Sequence, residues 1–220
     1  MNAYLARFTG LAVICCLFGG IIISWAETVP VADPGPTLEK LKAGNAQFVA
    51  DPESSAKPTR RRRLETARAQ RPMAIIVGCS DSRIPPEMIF NQNIGDLFVV
   101  RAAGELVDDY ALGSIEYAVA HLGARLIVVL GHERCGAVAA AVASADAPGH
   151  VGEIVRSIRP AVEQVRGESG DVLTNAIKKN VDRVSAKIRE KSELGALASE
   201  IRVVEAYYDL NTGKVEWLSR

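Results

Sequence analysis

Two apolar runs in this chain each end in a dense polar cluster that contains a cysteine. Ala74-Ile75-Ile76-Val77-Gly78 leads into Cys79-Ser80-Asp81-Ser82-Arg83, and Leu126-Ile127-Val128-Val129-Leu130-Gly131 leads into His132-Glu133-Arg134-Cys135-Gly136. Runs this short, rich in β-branched residues and free of polar interruptions suit strands buried on both faces, the usual state of strands in a parallel sheet. In such sheets ligand sites form beyond the carboxyl ends of the strands. Both clusters fall at that end.

The intervening segments support an α/β order. Thr37 reads as the N-cap of a helix through about Val49, an N-terminal helical arm with Leu38, Leu41 and Phe48 on one side. Asp51 to Pro58 reads as a loop, and Thr59 to Ala69 as a helix carrying Arg60 to Arg63. That arginine run is read as a solvated helix face in preference to a phosphate-binding patch. Leu97 to Arg101 is a third short strand. Helical patterns cover Tyr110 to Leu122, Ala137 to Ala143, His150 to Arg166 and Val172 to Glu190, the last with Ile177, Val181, Val184 and Ile188 at helical spacing. Ile201 to Leu210 and Lys214 to Leu218 flank Asn211-Thr212-Gly213 and read as a hairpin. The predicted fold is a central, mostly parallel sheet with flanking helices and the C-terminal hairpin at its edge.

The N-terminus carries a different signal. Arg7, the apolar and glycine run Leu11 to Ile23, and Ser24-Trp25-Ala26 before Glu27 match the three parts of a secretory signal peptide. The run is short of the ~20 apolar residues of a membrane span. An uncleaved anchor is the alternative. The expected organisation is a signal peptide over 1–26, a Pro-rich linker over 27–36 and one domain over 37–220, exported to the periplasm and free of the membrane once the signal is cleaved. Removing residues 1–26 takes away only Arg7 from 26 Lys+Arg set against 26 Asp+Glu. The near-neutral remainder argues against a general nucleic-acid partner.

Cys15 and Cys16 lie in the leader, so Cys79 and Cys135 are the only thiols of the remainder. Export favours a disulfide between them. His132, three residues before Cys135, and the polar companions Asp81 and Arg83 favour a metal site, and two thiols with an imidazole form a soft donor set suited to zinc. Three protein ligands leave a fourth position, as in catalytic zinc sites. Asp81 either fills that position or accepts a hydrogen bond from what occupies it, and Arg83 can pair with Asp81 at two points. Two thiolates cancel the charge of zinc, so activity is expected to rise toward alkaline pH. Competition between hydroxide and Asp81 for the fourth position would then act as a pH switch.

With these motifs quoted, the chain resembles the β-class carbonic anhydrases. Cys-x-Asp-x-Arg before His-x-x-Cys on this strand order is the specific part, and the likeness runs from Leu41-Lys42-Ala43-Gly44-Asn45 to the C-terminal hairpin. The resemblance implies zinc-dependent, reversible hydration of carbon dioxide to bicarbonate and a proton, with one zinc per chain. It makes Cys79, His132 and Cys135 the zinc ligands and Asp81 with Arg83 the catalytic dyad. It places Gln70 as a hydrogen-bond partner of substrate or bicarbonate. Phe98 and Tyr117 match positions lining the carbon dioxide pocket, partly across a dimer interface, and His121 matches a position suggested as a proton shuttle. It implies a homo-oligomer, dimer or tetramer. Some members carry an inhibitory bicarbonate site built from a tryptophan, an arginine and a tyrosine. Arg101 and Tyr117 match two of these, but Ile76 stands at the tryptophan position, so Asp81 is expected off the metal at neutral pH. The alternatives are a related zinc hydrolase of carbon disulfide or carbonyl sulfide, a non-catalytic zinc or anion-binding module, and an exported redox protein using a Cys79–Cys135 disulfide.

Overall fold

The computed structural model describes residues 30–54, 56–143 and 147–218. The expected signal peptide and the first part of the expected linker lie outside these residues. A compact unit begins at Val31. Among the described residues, five strands form one sheet: β1 (Ala74–Gly78), β2 (Leu97–Arg101), β3 (Leu126–His132), β4 (Arg202–Tyr208) and β5 (Val215–Trp217). Their order is β2-β1-β3-β4-β5. The first four strands are mutually parallel, and β5 closes the hairpin antiparallel to β4. β1 and β3 are direct neighbours, with Gly78 level with Leu130. The residues following each strand therefore emerge side by side.

Among the described residues, seven α-helices accompany the sheet, the first two ahead of β1: α1 (Pro34–Ala50), α2 (Arg60–Thr66), α3 (Pro86–Ile89), α4 (Asp109–Leu122), α5 (Gly136–Val142), α6 (Gly149–Gln164) and α7 (Val172–Lys191). None of them is long and apolar enough to cross a membrane. Alternation along the strands divides the core between the two faces of the sheet. Ile76, Val128 and Val204 pack with Leu41, Phe90, Val138 and Ile158 on one face. Ile75, Val77, Ile127 and Val129 pack with Ile115, Val119, Val181 and Val184 on the other.

The first helix corrects the sequence reading. It starts at Pro34, so residues 34–36 belong to it and not to a linker. Asp33 is its cap, accepting the Gly35 amide. Proline is tolerated in a first helical turn because the amide it lacks has no intrahelical partner there. Thr37 instead sits in the first turn and donates its hydroxyl to the Asp33 carbonyl at 2.6 Å. The arginine helix is capped by Thr59, and only part of it is solvated: Arg62 donates to the Ile94 carbonyl at 2.9 Å and pairs with Asp96 at 2.6 Å.

Candidate metal centre

Cys79 follows the last residue of β1, His132 ends β3, and Cys135 stands at the N-cap of α5. Their donor atoms all lie within 4.8 Å of one another, and all three residues are buried. Both cysteines are free thiols, with sulfurs 4.0 Å apart. A disulfide would bring the sulfurs to about 2.05 Å. Two sulfurs each about 2.3 Å from a tetrahedral zinc lie about 3.8 Å apart. The spacing is that of shared ligands.

The ring of His132 is oriented for the same task. Its Nδ1–H donates to the Glu133 carbonyl at 2.9 Å, which leaves the lone pair on Nε2. Nε2 is buried and has no hydrogen-bond partner among the described residues. A buried acceptor without a protein partner, facing two thiols, fits a site for a metal cation.

Beside this cluster, Asp81 and Arg83 form a two-point pair. Arg83 Nε donates to Asp81 Oδ1 at 2.9 Å and Nη2 to Oδ2 at 2.7 Å, with the Arg83 amide adding a third bond. These bonds hold the Asp81 carboxyl well below the usual carboxylate range, against the opposing effect of burial. Asp81 Oδ2 reaches to 4.0 Å of His132 Nε2. Arg101 braces the segment from the far side, donating through Nε to the Cys79 carbonyl at 2.8 Å and through Nη2 to the Asp81 carbonyl.

A profile of the family described as carbonic anhydrase matches residues 74–215. A carbonic anhydrase of Mycolicibacterium smegmatis is 37% identical over 195 residues, covering 86% of this chain and 95% of the relative. Carbonic anhydrase 2 of Mycobacterium tuberculosis is also 37% identical, over 197 residues, covering 84% and 93%. Among solved structures, the Coccomyxa β-carbonic anhydrase in complex with acetazolamide shares 26% identity at a TM-score of 0.67, covering 86% of this chain and 87% of its own. The fold is also that of a tetrameric β-carbonic anhydrase from Sordaria macrospora, at 24% identity and a TM-score of 0.68 over 84% of this chain and 98% of the other.

The chain belongs to the β-carbonic anhydrase family. The reaction of these enzymes is the zinc-dependent, reversible hydration of carbon dioxide, and the Cys79–His132–Cys135 group fits that metal. A cation also resolves the charge problem of the site. The Cys135 thiol draws Cys79 down from its ordinary value, burial opposing and the His132 ring and the Gly104 and Asp81 backbone assisting. The same Cys79 contact, with burial, pushes Cys135 up. One proton is thus lost easily and the second is resisted, until a bound dication makes both thiolates favourable. Burial works against a charged His132, but the Cys79 sulfur, the Glu133 carbonyl and Glu105 together outweigh it.

The remaining expected residues of this β-carbonic anhydrase lie elsewhere in the chain. Gln70 is exposed, before β1, at the strand end opposite Cys79. Five strand residues at about 3.3 Å each separate it from the cluster. Phe98, the second residue of β2, lies across from Ile75 and contacts Tyr117 of α4 at 6.5 Å between ring centroids; Tyr117 contacts His121 at 5.2 Å. Tyr117 and His121 are exposed. Ile76 is buried against the opposite face of the sheet from this aromatic row. One chain brings together the ligands, Asp81, Arg83 and Arg101, but not Gln70, Phe98, Tyr117 or His121.

Other contributors carry no sequence signal of their own. The Gly104 amide donates to Cys79 Sγ at 3.3 Å. It sits in a 3-10 turn over Ala103–Glu105, with φ of 68° at Gly104 and 44° at Glu105. A Cβ at Gly104 would come within 2.7 Å of Ile158. Buried Asn180 of α7 fixes the turn, donating to the Gly104 carbonyl and to Glu105 Oε1, both at 2.8 Å.

Proposed function

We propose that this chain hydrates carbon dioxide with Cys79, His132 and Cys135 holding zinc and with Asp81 and Arg83 directing the nucleophile. When bound, zinc would act as a Lewis acid that lowers the pKa of its water toward neutral pH. Asp81, kept ionised by Arg83, is an acceptor at every pH at which the reaction is measured. It takes the hydrogen bond of the attacking hydroxide and turns its lone pair toward the carbon. Arg101, by holding the Cys79–Asp81 backbone, sets the distance between ligand and acceptor. The observation that carries this reading is the charge-paired Asp81 beside the orphaned His132 nitrogen, 4.0 Å away.

Gln70, Phe98, Tyr117 and His121 then contribute from a second copy. β2 is an edge strand of the sheet, and Tyr117 is 48% exposed beside it. A nonpolar substrate favours an apolar wall of this kind. The assembly is a homo-oligomer in this reading, and sedimentation equilibrium of the purified protein counts its copies. The leader formed by Arg7, Leu11 to Ile23 and Ser24-Trp25-Ala26 directs export to the periplasm. N-terminal sequencing of the protein recovered from the periplasmic fraction is expected to begin at Glu27.

The decisive experiment is stopped-flow carbon dioxide hydration with metal analysis. Wild-type protein is expected to carry one zinc per chain and to lose turnover with a chelator. Asp81→Asn and Arg83→Ala are expected to retain zinc while kcat falls about 100-fold or more, the scale of a lost proton-directing group. Full turnover in Arg83→Ala refutes the assigned dyad.

A further inference from the structure

We propose that Asn211, on the turn between β4 and β5, is a positioning residue for the loop that joins two zinc ligands. The proposal rests on the functional reading above for the identity of those ligands.

His132 and Cys135 are separated by only Glu133 and Arg134, and Arg134 has φ of 53°. A non-glycine residue in the left-handed region is strained, so it persists only where surrounding contacts fix it. Those contacts come from the other end of the chain. The Glu133 amide extends the sheet by donating to the Tyr208 carbonyl at 2.8 Å. The Glu133 carboxylate accepts the Leu210 amide at 3.0 Å and both of its oxygens accept from Asn211 Nδ2, at 2.8 and 2.9 Å. Asn211 Oδ1 in turn accepts from Arg134 Nη2 at 2.8 Å. One carboxamide thus serves both loop residues, as donor to one and acceptor from the other. An aspartate lacks the donor and a leucine lacks both.

Asn211 is itself held. Its amide and that of Thr212 donate to Asp209 Oδ1 at 2.9 and 2.8 Å, and the Gly213 amide closes on the Asp209 carbonyl at 2.9 Å. The turn is a preformed clamp. What it clamps are two carbonyls that face the site. Glu133 O receives the His132 Nδ1–H, which sets the ring's tautomer and direction. Arg134 O lies 3.5 Å from Arg83 Nη2, the same nitrogen that binds Asp81. Asn211 therefore stands one residue removed from a zinc ligand on one branch and from the dyad on the other. Its exposure limits its share in the core.

The test is the rate at which the zinc-loaded full chain gives up zinc to a chromophoric chelator, measured with steady-state hydration kinetics. Asn211→Asp sets two carboxylates against each other and is expected to speed zinc loss about 10- to 100-fold and to lower kcat with little change in KM, the scale of a lost partner behind a metal ligand. The double variant Glu133→Gln with Asn211→Asp exchanges donor and acceptor, restores the link, and is expected to return zinc loss to within about threefold of wild type. Glu216→Gln, on the same hairpin but paired with Lys178, is the control and is expected to match wild type. Unchanged zinc loss in Asn211→Asp, or a double variant no better than the single, overturns the proposal. A wild type that holds zinc but does not hydrate carbon dioxide defeats the functional reading alone, since zinc loss still decides the role of Asn211.

Discussion

Glu105 shows how closely the fold controls charge around the ligands. It is wholly buried, and its Oε2 has no hydrogen-bond partner among the described residues. Burial pushes its carboxyl from an ordinary 4.5 up to about 7, against the restraining bond from Asn180. Between those two values the folded chain holds a proton that the unfolded chain has released. Raising the pH through that window therefore removes stability, by about 3 kcal/mol in the zinc-free protein, and the loss stops above the upper value. Glu105→Gln keeps the shape and the acceptor for Asn180 but has nothing to titrate. Urea midpoints of zinc-free protein at pH 5 and pH 8 are expected to differ more for wild type than for the variant. Equal differences would mean that Glu105 ionises in the folded state as it does in the unfolded one. Nothing in the sequence marks Glu105 or Asn180, because their importance comes from burial and from a hydrogen bond between residues 75 apart in the chain. Cys79, His132 and Cys135 were legible for the opposite reason: few residue types bind zinc, and the strand ends left them nowhere else to lie.

At the scale of elements, apolar runs and turn residues located the strands and the hairpin, whereas helix starts depended on contacts the sequence does not display. The short helix α3, which opens on Pro86 behind its cap Pro85, and the beginning of α1 belong to the second group. α1 is placed by Asn45, which donates to the Ile89 and Gly213 carbonyls at 3.1 and 2.9 Å and accepts the Val215 amide at 2.9 Å. One buried amide ties the N-terminal arm to α3 and to the hairpin that carries Asn211. Gly44 permits the approach, since a Cβ there would sit 1.9 Å from the Phe90 carbonyl oxygen. Two effects compete in Gly44→Ala. Helix propensity favours alanine by about 1 kcal/mol. Overpacking against backbone that cannot rotate away costs about 1–3 kcal/mol, and this overlap lies at the severe end. Destabilisation is therefore expected, read as a lower urea midpoint. A raised midpoint would show that α1 docks more loosely than these contacts require.

For the whole molecule, the consequence is that the metal joins two otherwise separate crossovers. Cys79 arrives from β1 and His132 with Cys135 from β3, so zinc bridges strand ends 53 or more residues apart in sequence. A ligand bound only by the folded state adds about 4 kcal/mol at a thousandfold excess over its Kd. For a domain of this size that is about 10 °C in Tm. Stripping zinc under reducing conditions should lower Tm by that order, and adding zinc back should restore it. Air changes the outcome. Without metal, the two sulfurs 4.0 Å apart must approach by only about 2 Å to bond, and Cys79 is already the more acidic thiol. Its thiolate is the nucleophile, oxygen takes up the two electrons and the protons, and the product is a disulfide that can no longer ligate zinc. Chelation in air should therefore abolish carbon dioxide hydration in a way that zinc alone does not reverse but dithiothreitol followed by zinc does. Recovery by zinc alone after prolonged aeration would mean that the strand ends hold the sulfurs apart even when no metal lies between them.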